Sequence, residues 1–346
     1  MLDIAEMELA ELESELESSG VACYHARQIY RWIYRHGIEN FEHMTDLSRG
    51  LRHQLTTTTK ISTPKIVHKA QALDGTVKFL LKLKDGHQIE SVFIPDTPAQ
   101  TLCISTQVGC AMACAFCLTG SMGLIRNLSA GEISGQVRVL TKTLNLLNQR
   151  FNIVLMGMGE PLHNYDATMK ALRLLTDKVG IGISPRRITL STVGLVPALK
   201  RLATEPLIPN LAVSLHSTSE VSRARLVPVN RKYSLAEVLD VCEKFPLKHR
   251  SRITFEYVLL KNVNDSLEEA RMLAKLLRGI RSKINLIPLN ESVDIPFERP
   301  DDGVVDRFAR ELARHHLTVS VRKSRGHEIQ AACGQLIVES ARESIS

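Results

Sequence analysis

From Leu102 onward, seven short apolar runs alternate with amphipathic stretches of helix length, and this alternation narrows the possible folds more than any other feature of the chain. The runs are LCIS (102–105), NIVLM (152–156), ITLS (188–191), LAVSL (211–215), TFEYVLL (254–260), INLIPL (284–289) and LTVSV (317–321); helical periodicity marks 130–147, 165–177, 266–278 and 303–315. Strands that alternate with helices are joined by crossovers and build a parallel sheet. Six or seven such units fit a full or partial β/α barrel better than an open dinucleotide-binding sheet. With 346 residues, 44% of them hydrophobic, the chain can form a core of that size and a smaller domain besides.

The smaller domain is expected at the start. ELAELESEL (8–16) places Leu9, Leu12 and Leu16 at helical spacing, and ARQIYRWIYRHG (26–37) places Ile29, Trp32, Ile33 and Tyr34 before a glycine stop. The segment 76–95, TVKFLLKLKDGHQIESVFIP, reads as two strands joined at Asp85-Gly86, a strong hairpin signal. The expected organisation is a helical accessory domain over 1–60, a linker and β-hairpin over 61–98, and a barrel core over 99–340.

Charge and cysteine usage set the outer limits. The net charge is +7 and regional: residues 1–20 hold seven acidic and no basic residues, whereas 21–69 hold eight basic and three acidic. A basic surplus favours polyanions such as RNA. No stretch approaches the roughly 20 apolar residues of a membrane span, and the start lacks the pattern of a secretion signal, so a cytoplasmic, non-membrane protein is expected. Seven cysteines are too few and too uneven for a disulfide scaffold, which points to reduced thiols with metal or catalytic roles.

In barrels, chemistry sits at the carboxyl ends of the strands, and here the reactive candidates follow the apolar runs. Cys110 follows the first; Gly157-Met158-Gly159-Glu160-Pro161 follows the second; Ser191 and Thr192, His216 and Ser217, and Asn290 close later ones. Any one of them reads equally well as a turn or cap residue. Their joint placement on one rim is what indicates a site.

Cys110, Cys114 and Cys117 form a C-x3-C-x2-C run with no further cysteine before Cys242. A closed structural zinc site needs four protein ligands, so the run either borrows a partner such as Cys103 or keeps one coordination position open, as an iron–sulfur cluster can. The spacing alone leaves both readings standing.

The flanking residues add a resemblance. GCAMACAFCLTG, RNLSAGEI, MGMGEPLHNYD, SPRRITLSTVGL, LAVSLHS, PVNRKY, RITFEYVLL, NLIPLN and SRGHEIQAACGQL together resemble the RlmN/Cfr family of radical S-adenosylmethionine RNA adenine methyltransferases, over residues 20–336. Leu124 is a minor departure, where a phenylalanine is more usual. The resemblance implies a partial (β/α)6-type radical SAM barrel with a small N-terminal helical domain and a β-hairpin extension. It implies that Cys110, Cys114 and Cys117 hold three irons of a [4Fe-4S] cluster and that S-adenosyl-L-methionine chelates the fourth. Cys333 would carry a methyl group as S-methylcysteine, Cys103 would resolve the enzyme–RNA adduct through a transient disulfide with Cys333, and Glu90 would accept the ring proton. Gly159, Glu160, Ser191, Ser214, Leu215, His216 and Asn290 would contact the cofactor. Cys23 and Cys242 lie outside the motifs and read as small buried hydrophobes.

The substrates implied are 23S rRNA and tRNA, methylated at adenine C2, with C8 of the rRNA adenine as the alternative. A flavodoxin or ferredoxin would donate electrons, and a monomer is expected. Arg27, Arg31 and Arg35 on one helix face, and Arg322, Lys323 and Arg325, are candidate phosphate contacts. Two rivals remain: a noncatalytic RNA-binding protein with a Cys-ligated metal, and a radical enzyme acting on a small molecule or peptide. Against the second stands Cys333, a methyl-carrying cysteine for which such an enzyme has no use.

Overall fold

The computed structural model describes residues 1–95, 99–147 and 149–337. Strand β1 (Leu2–Asp3) precedes three helices, α1 (Leu9–Ser18), α2 (Tyr24–Tyr34) and α3 (Arg49–Thr58), and β2 (Thr59–Lys60) returns to pair with β1 in parallel. Each helix buries one stripe: Leu12 and Leu16, then Ile29, Tyr30, Ile33 and Tyr34, then Leu51 and Leu55. Glu11 reaches back to the Glu8 N–H at 2.8 Å, and Ser48 accepts from the Leu51 N–H at 3.2 Å, so the first turns of α1 and α3 are capped. Trp32 is only half-buried, and Cys23, just ahead of α2, is exposed and not the buried hydrophobe expected. Cys242 is buried as expected.

A ten-stranded sheet makes up the rest. Three antiparallel strands, β3 (Lys65–Gln71), β4 (Val77–Lys82) and β5 (Gln88–Ile94), lead into β6 (Thr101–Cys103). The chain then forms a small β7 (Gln107–Gly109) and β8 (Leu124–Asn127) pair on either side of a short helix α4 (Leu118–Ser121). From there helix and strand alternate: α5 (Ala130–Thr143), β9 (Asn152–Leu155), α6 (Tyr165–Thr176), β10 (Ile188–Thr192), α7 (Val196–Leu202), β11 (Asn210–Ser214), α8 (Glu220–Leu226), α9 (Leu235–Lys244), β12 (Ile253–Leu259), α10 (Leu267–Leu276), β13 (Ser282–Pro288), α11 (Asp302–Arg314) and β14 (Val319–Val321). The order across the sheet is β14-β13-β12-β11-β10-β9-β6-β5-β4-β3, and the seven strands from β6 to β14 are mutually parallel. The sheet is not closed: β14 and β3 are its two edges, as a partial barrel requires. Among the described residues no helix is long and apolar enough to cross a membrane.

One expectation changes. The segment 61–98 holds more than a linker and a hairpin, because β3 adds a third antiparallel strand to it. Its sequence hides this: the register shifts between Ile66 and His68, which breaks the period-two alternation, and Lys65, His68, Lys69 and Gln71 are exposed. The same lysines suit an edge strand, where charge discourages pairing with another chain.

The helical region is docked onto α5 and α6 by polar contacts. The Glu6 carboxylate accepts from the Ser129 hydroxyl and from the Gly131 N–H at 2.7 Å, completing the N-terminal cap of α5. Glu8 pairs with Arg173 at 2.7 Å, Glu11 with Lys170 at 2.8 Å, and Arg138 donates to the Ser62 carbonyl at 2.8 Å. Glu6→Ala leaves Ser129 and the Gly131 N–H without this acceptor, so a loss of about 1–3 kcal/mol is expected. Denaturant unfolding of the variant checks it.

Candidate active site

Where parallel strands end, their backbone groups lose ladder partners, and buried side chains take them over. Gln136 on α5 accepts from the Ser105 N–H and donates to the Ser105 carbonyl, both at 2.8 Å. Ser105 Oγ accepts from the Met158 N–H at 2.8 Å and donates to the Glu90 carbonyl at 2.6 Å, tying the ends of β6 and β9 to β5. Gly159 has φ +100°, and a side chain there would meet Gln107 Cβ at 2.5 Å, so only glycine lets this loop pass.

The three-cysteine loop lies across this rim. Ala115 N–H donates to Leu226 O on α8 at 2.9 Å, Leu118 N–H to Gly334 O at 2.8 Å, and Thr119 Oγ1 to Leu336 O at 2.6 Å. The loop is thus pinned between α8 and the C-terminal segment. Cys110, Cys114 and Cys117 all face one cavity of about 910 Å³, its open mouth included. Burial pushes the Cys110 thiol up to about 12 and raises Cys114 and Cys117 as well, and the neighbouring thiols push the same way. Three such thiols want a strong Lewis acid to release their protons. Among the described residues no three His, Cys, Asp or Glu groups converge on a single ion. Cys103, the fourth ligand a closed zinc site would borrow, is not among the residues that line this cavity; its electrostatic neighbours are Cys333 and Arg322. Three thiols spread around a roomy cavity fit a multi-iron cluster, with a position left over for a ligand.

The opposite wall is polar. The Glu160 carboxylate accepts from the Leu162 N–H and the Val193 N–H, both at 2.9 Å, which fixes it facing the cavity. Burial raises its pKa to about 7 against the lowering effect of these donors. His216, with φ +61°, accepts from the Val258 N–H at Nδ1 (3.0 Å), so its remaining proton sits on Nε2. Burial and the nearby Arg223 push its pKa down to about 3, which keeps the ring neutral. Phe116 packs edge-on against it, with ring centroids 4.6 Å apart. Ser191, Ser214, Gly159 and Asn290 line the same cavity. Asn290 accepts from Ser324 and donates to the Cys333 carbonyl at 3.2 Å. Leu215 does not line it; its backbone N–H and carbonyl instead bond Glu256 O and Arg223 Nε.

Two buried charges escaped the sequence reading. Arg223 donates to the carbonyls of Val193, Ser214 and Leu215 and to Asn230 Oδ1, stapling the ends of β10 and β11. Glu256 on β12 accepts from Asn285 Nδ2 at 2.7 Å. A lone carboxylate inside the apolar run TFEYVLL was the available signal for Glu256; nothing in the sequence distinguishes Arg223 from other helix arginines.

Cys333 also lines the cavity. Its thiol hydrogen-bonds Arg322, and Cys103 is an electrostatic neighbour of both. Burial pushes Cys103 up to about 12. Glu90 is buried and outside the cavity lining, with Oε1 2.8 Å from Lys78 Nζ and Oε2 accepting from the Ile337 N–H at 2.9 Å. Arg322 is therefore engaged by a thiol and Glu256, not presented to solvent as a free phosphate contact.

A second cavity meets the first at Met156, Glu256 and Arg322 and opens toward the strand starts. Arg186, Arg187, Lys283, Lys323 and Arg325 line it. In the helical region Arg27, Arg31 and Arg35 are exposed, and Arg27 lies 3.3 Å from Glu13.

Comparison with known proteins agrees over nearly the whole chain. Residues 104–276 match the family model of the radical SAM superfamily, and residues 2–61 that of the ribosomal RNA large subunit methyltransferase N-terminal domain. A dual-specificity RNA methyltransferase RlmN of Syntrophobacter fumaroxidans is 47% identical, covering 97% of this chain and 98% of the relative. That of Geobacter sulfurreducens is 49% identical over 97% of this chain and 92% of its own. The crystal structure of a radical SAM methyltransferase from Sphaerobacter thermophilus superposes with a TM-score of 0.93 at 44% identity, covering 97% and 99% of the two chains.

Glu160 supplies a pH test. Its pKa is higher in the folded than in the unfolded chain, so its ionisation opposes folding: the cost is absent below about pH 4.5 and complete above about pH 7. Glu160→Gln removes that pH dependence, although its amide NH2 can no longer accept from one of the two N–H donors. Without cofactor, the native protein should therefore lose on the order of 2–3 kcal/mol relative to the variant between pH 5 and pH 8. Unfolding free energies of both proteins at the two pH values check it; an unchanged difference would contradict the burial of this charge.

Proposed function

Because the chain belongs to the RlmN family of radical S-adenosylmethionine RNA methyltransferases, we propose that it methylates C2 of a specific adenosine in 23S rRNA and of the adenosine 3′ of the anticodon in certain tRNAs, with the residues of the rim in the following roles. The observation that carries this reading is the single cavity that brings Cys110, Cys114, Cys117, Glu160 and Cys333 together. A [4Fe-4S] cluster and S-adenosylmethionine, when bound, supply the electron and the carbon radical that an unreactive ring carbon demands.

The three loop thiolates hold the cluster. Glu160 receives the cofactor's ammonium, and Gly159 lets backbone approach it. Neutral His216, Ser191, Ser214 and Asn290 offer donors and acceptors to the hydroxyls and carboxylate, and Leu215 acts through its backbone. Cys333 carries the methyl group as a thioether. Once its carbon is joined to the base, Cys103 attacks the Cys333 sulfur: an S–S bond forms, the S–C bond breaks, and its electron pair stays with the carbon, which a proton completes to methyl. The disulfide then needs reduction by a cellular dithiol. Glu90 takes the proton lost from the ring, and the unpaired electron left by radical addition would return to the cluster, so that the ring regains its aromaticity.

The basic cavity at the strand starts supports entry of RNA from that side, so base and cofactor meet at Met156 and Arg322 from opposite directions. Residues 1–60 act as an accessory RNA-binding domain, 61–98 as its connection, and 99–340 as the catalytic core. A flavodoxin or ferredoxin supplies electrons to a cytoplasmic monomer.

Nucleoside mass spectrometry of rRNA and tRNA from a deletion strain, with and without this chain restored, tests the assignment. Restored 2-methyladenosine in both RNAs is expected; 8-methyladenosine would place the protein on the other branch of the family. The cysteine roles separate in vitro. Cys333→Ala should give no product, whereas Cys103→Ala should trap protein joined to RNA, seen as a slow gel band that nuclease removes. If both variants yield only free, unmodified RNA, the division of roles is wrong.

A further inference from the structure

A buried carboxylate is a poor proton acceptor unless something keeps it charged, because desolvation favours its neutral acid. Glu90 is 3% exposed. On β5 it stands opposite Leu80 of β4, and Lys78 stands opposite Val92, so Lys78 and Glu90 are diagonal neighbours on one face of the sheet. Lys78 Nζ reaches Glu90 Oε1 at 2.8 Å, with only 15% of the lysine side chain exposed. The other carboxylate oxygen accepts from the neutral Ile337 N–H. The Glu90 main chain is held as well: its N–H points to Met158 Sδ at 3.3 Å, and its carbonyl accepts from Ser105.

We propose that Lys78 is a positioning residue for the reaction, holding Glu90 ionised and aimed through this diagonal ion pair so that the carboxylate can take the ring proton. The inference rests on Glu90 being the proton acceptor. In the transfer the ring C–H bond breaks, its electron pair stays with the base, and the proton binds a Glu90 oxygen. Lys78 keeps its own proton throughout. The pair then becomes a neutral acid beside an ammonium, an arrangement that favours return of the proton to solvent and resets the site. On the elements packed against Glu90, β4 carries Lys78 and, at the other diagonal position, Lys82; β6 carries Cys103, the loop after β9 carries Glu160, and the C-terminal segment carries Cys333 with Arg322 beside it. Lys82 is exposed, whereas Lys78 is largely buried and reaches the carboxylate.

The test uses the full, cluster-loaded enzyme and reads decay of the covalent protein–RNA adduct on gels between pH 6.5 and 8.5. Lys78→Met should slow decay several-fold at pH 6.5 and recover most of the native rate at pH 8.5, the signature of an acceptor whose pKa has risen into that range. Lys78→Arg, which keeps the charge, should restore the native profile, and Lys78→Gln provides a second neutral variant should Met fold poorly. A strut between strands would lower thermal stability and slow decay equally at every pH; that result, or an unchanged profile in both neutral variants, overturns the proposal. Glu90→Gln separates the two layers. It should retain the adduct at every pH, and native decay in this variant would remove the proton-acceptor reading itself.

Discussion

A parallel sheet that stops inside a protein leaves amides and carbonyls without ladder partners, and a buried cavity at that edge offers no water to replace them. This chain meets the constraint with side chains that reach across strand ends: Gln136 and Ser105 at β6 and β9, Glu160 between the loops after β9 and β10, and Arg223 across β10 and β11. Asn264 does the same further round, donating to the His216 and Val258 carbonyls. Each group that satisfies the backbone also shapes the cavity. The geometry of the site and the integrity of the sheet edge are therefore one problem with one set of residues.

The electrostatics follow from that burial. Desolvation pushes the loop thiols, the buried Cys103 and Glu160 upward and His216 downward, each toward its neutral form. Such a site is poised to be charged by what binds. Thiolates form when a metal replaces their protons, and Glu160 ionises fully when an ammonium arrives. Arg223, Arg322 and Lys78 keep positive charge indoors, beside Cys114, Cys333 and Glu90 respectively.

The sequence made the barrel region legible because its strands read as short apolar runs, set between helices that carry a 3.6-residue stripe. All seven runs became parallel strands. The rim residues followed from the rule that polar groups trail the runs, and the cavity gathers Cys110, Gly159, Glu160, Ser191, His216 and Asn290. Strand β3 stayed hidden because a bulge and an exposed, charged face erase the alternation that marks a strand. The buried roles of Arg223, Arg322 and Lys78 were illegible for another reason. Their partners are set by how strands and loops pack and follow no fixed sequence spacing, and a basic residue near an element's end looks the same whether it meets water or a buried carbonyl.

The central claim is that three thiols hold a cluster and leave one iron for the cofactor. Iron and sulfide analysis of protein purified without oxygen, joined to spectroscopy before and after addition of S-adenosylmethionine, tests it most directly. About four irons per chain are predicted, with a change at one iron on cofactor addition and loss of the cluster when Cys110, Cys114 or Cys117 is replaced by alanine. Stoichiometric zinc in a colourless protein that takes up no iron on reconstitution would contradict the account.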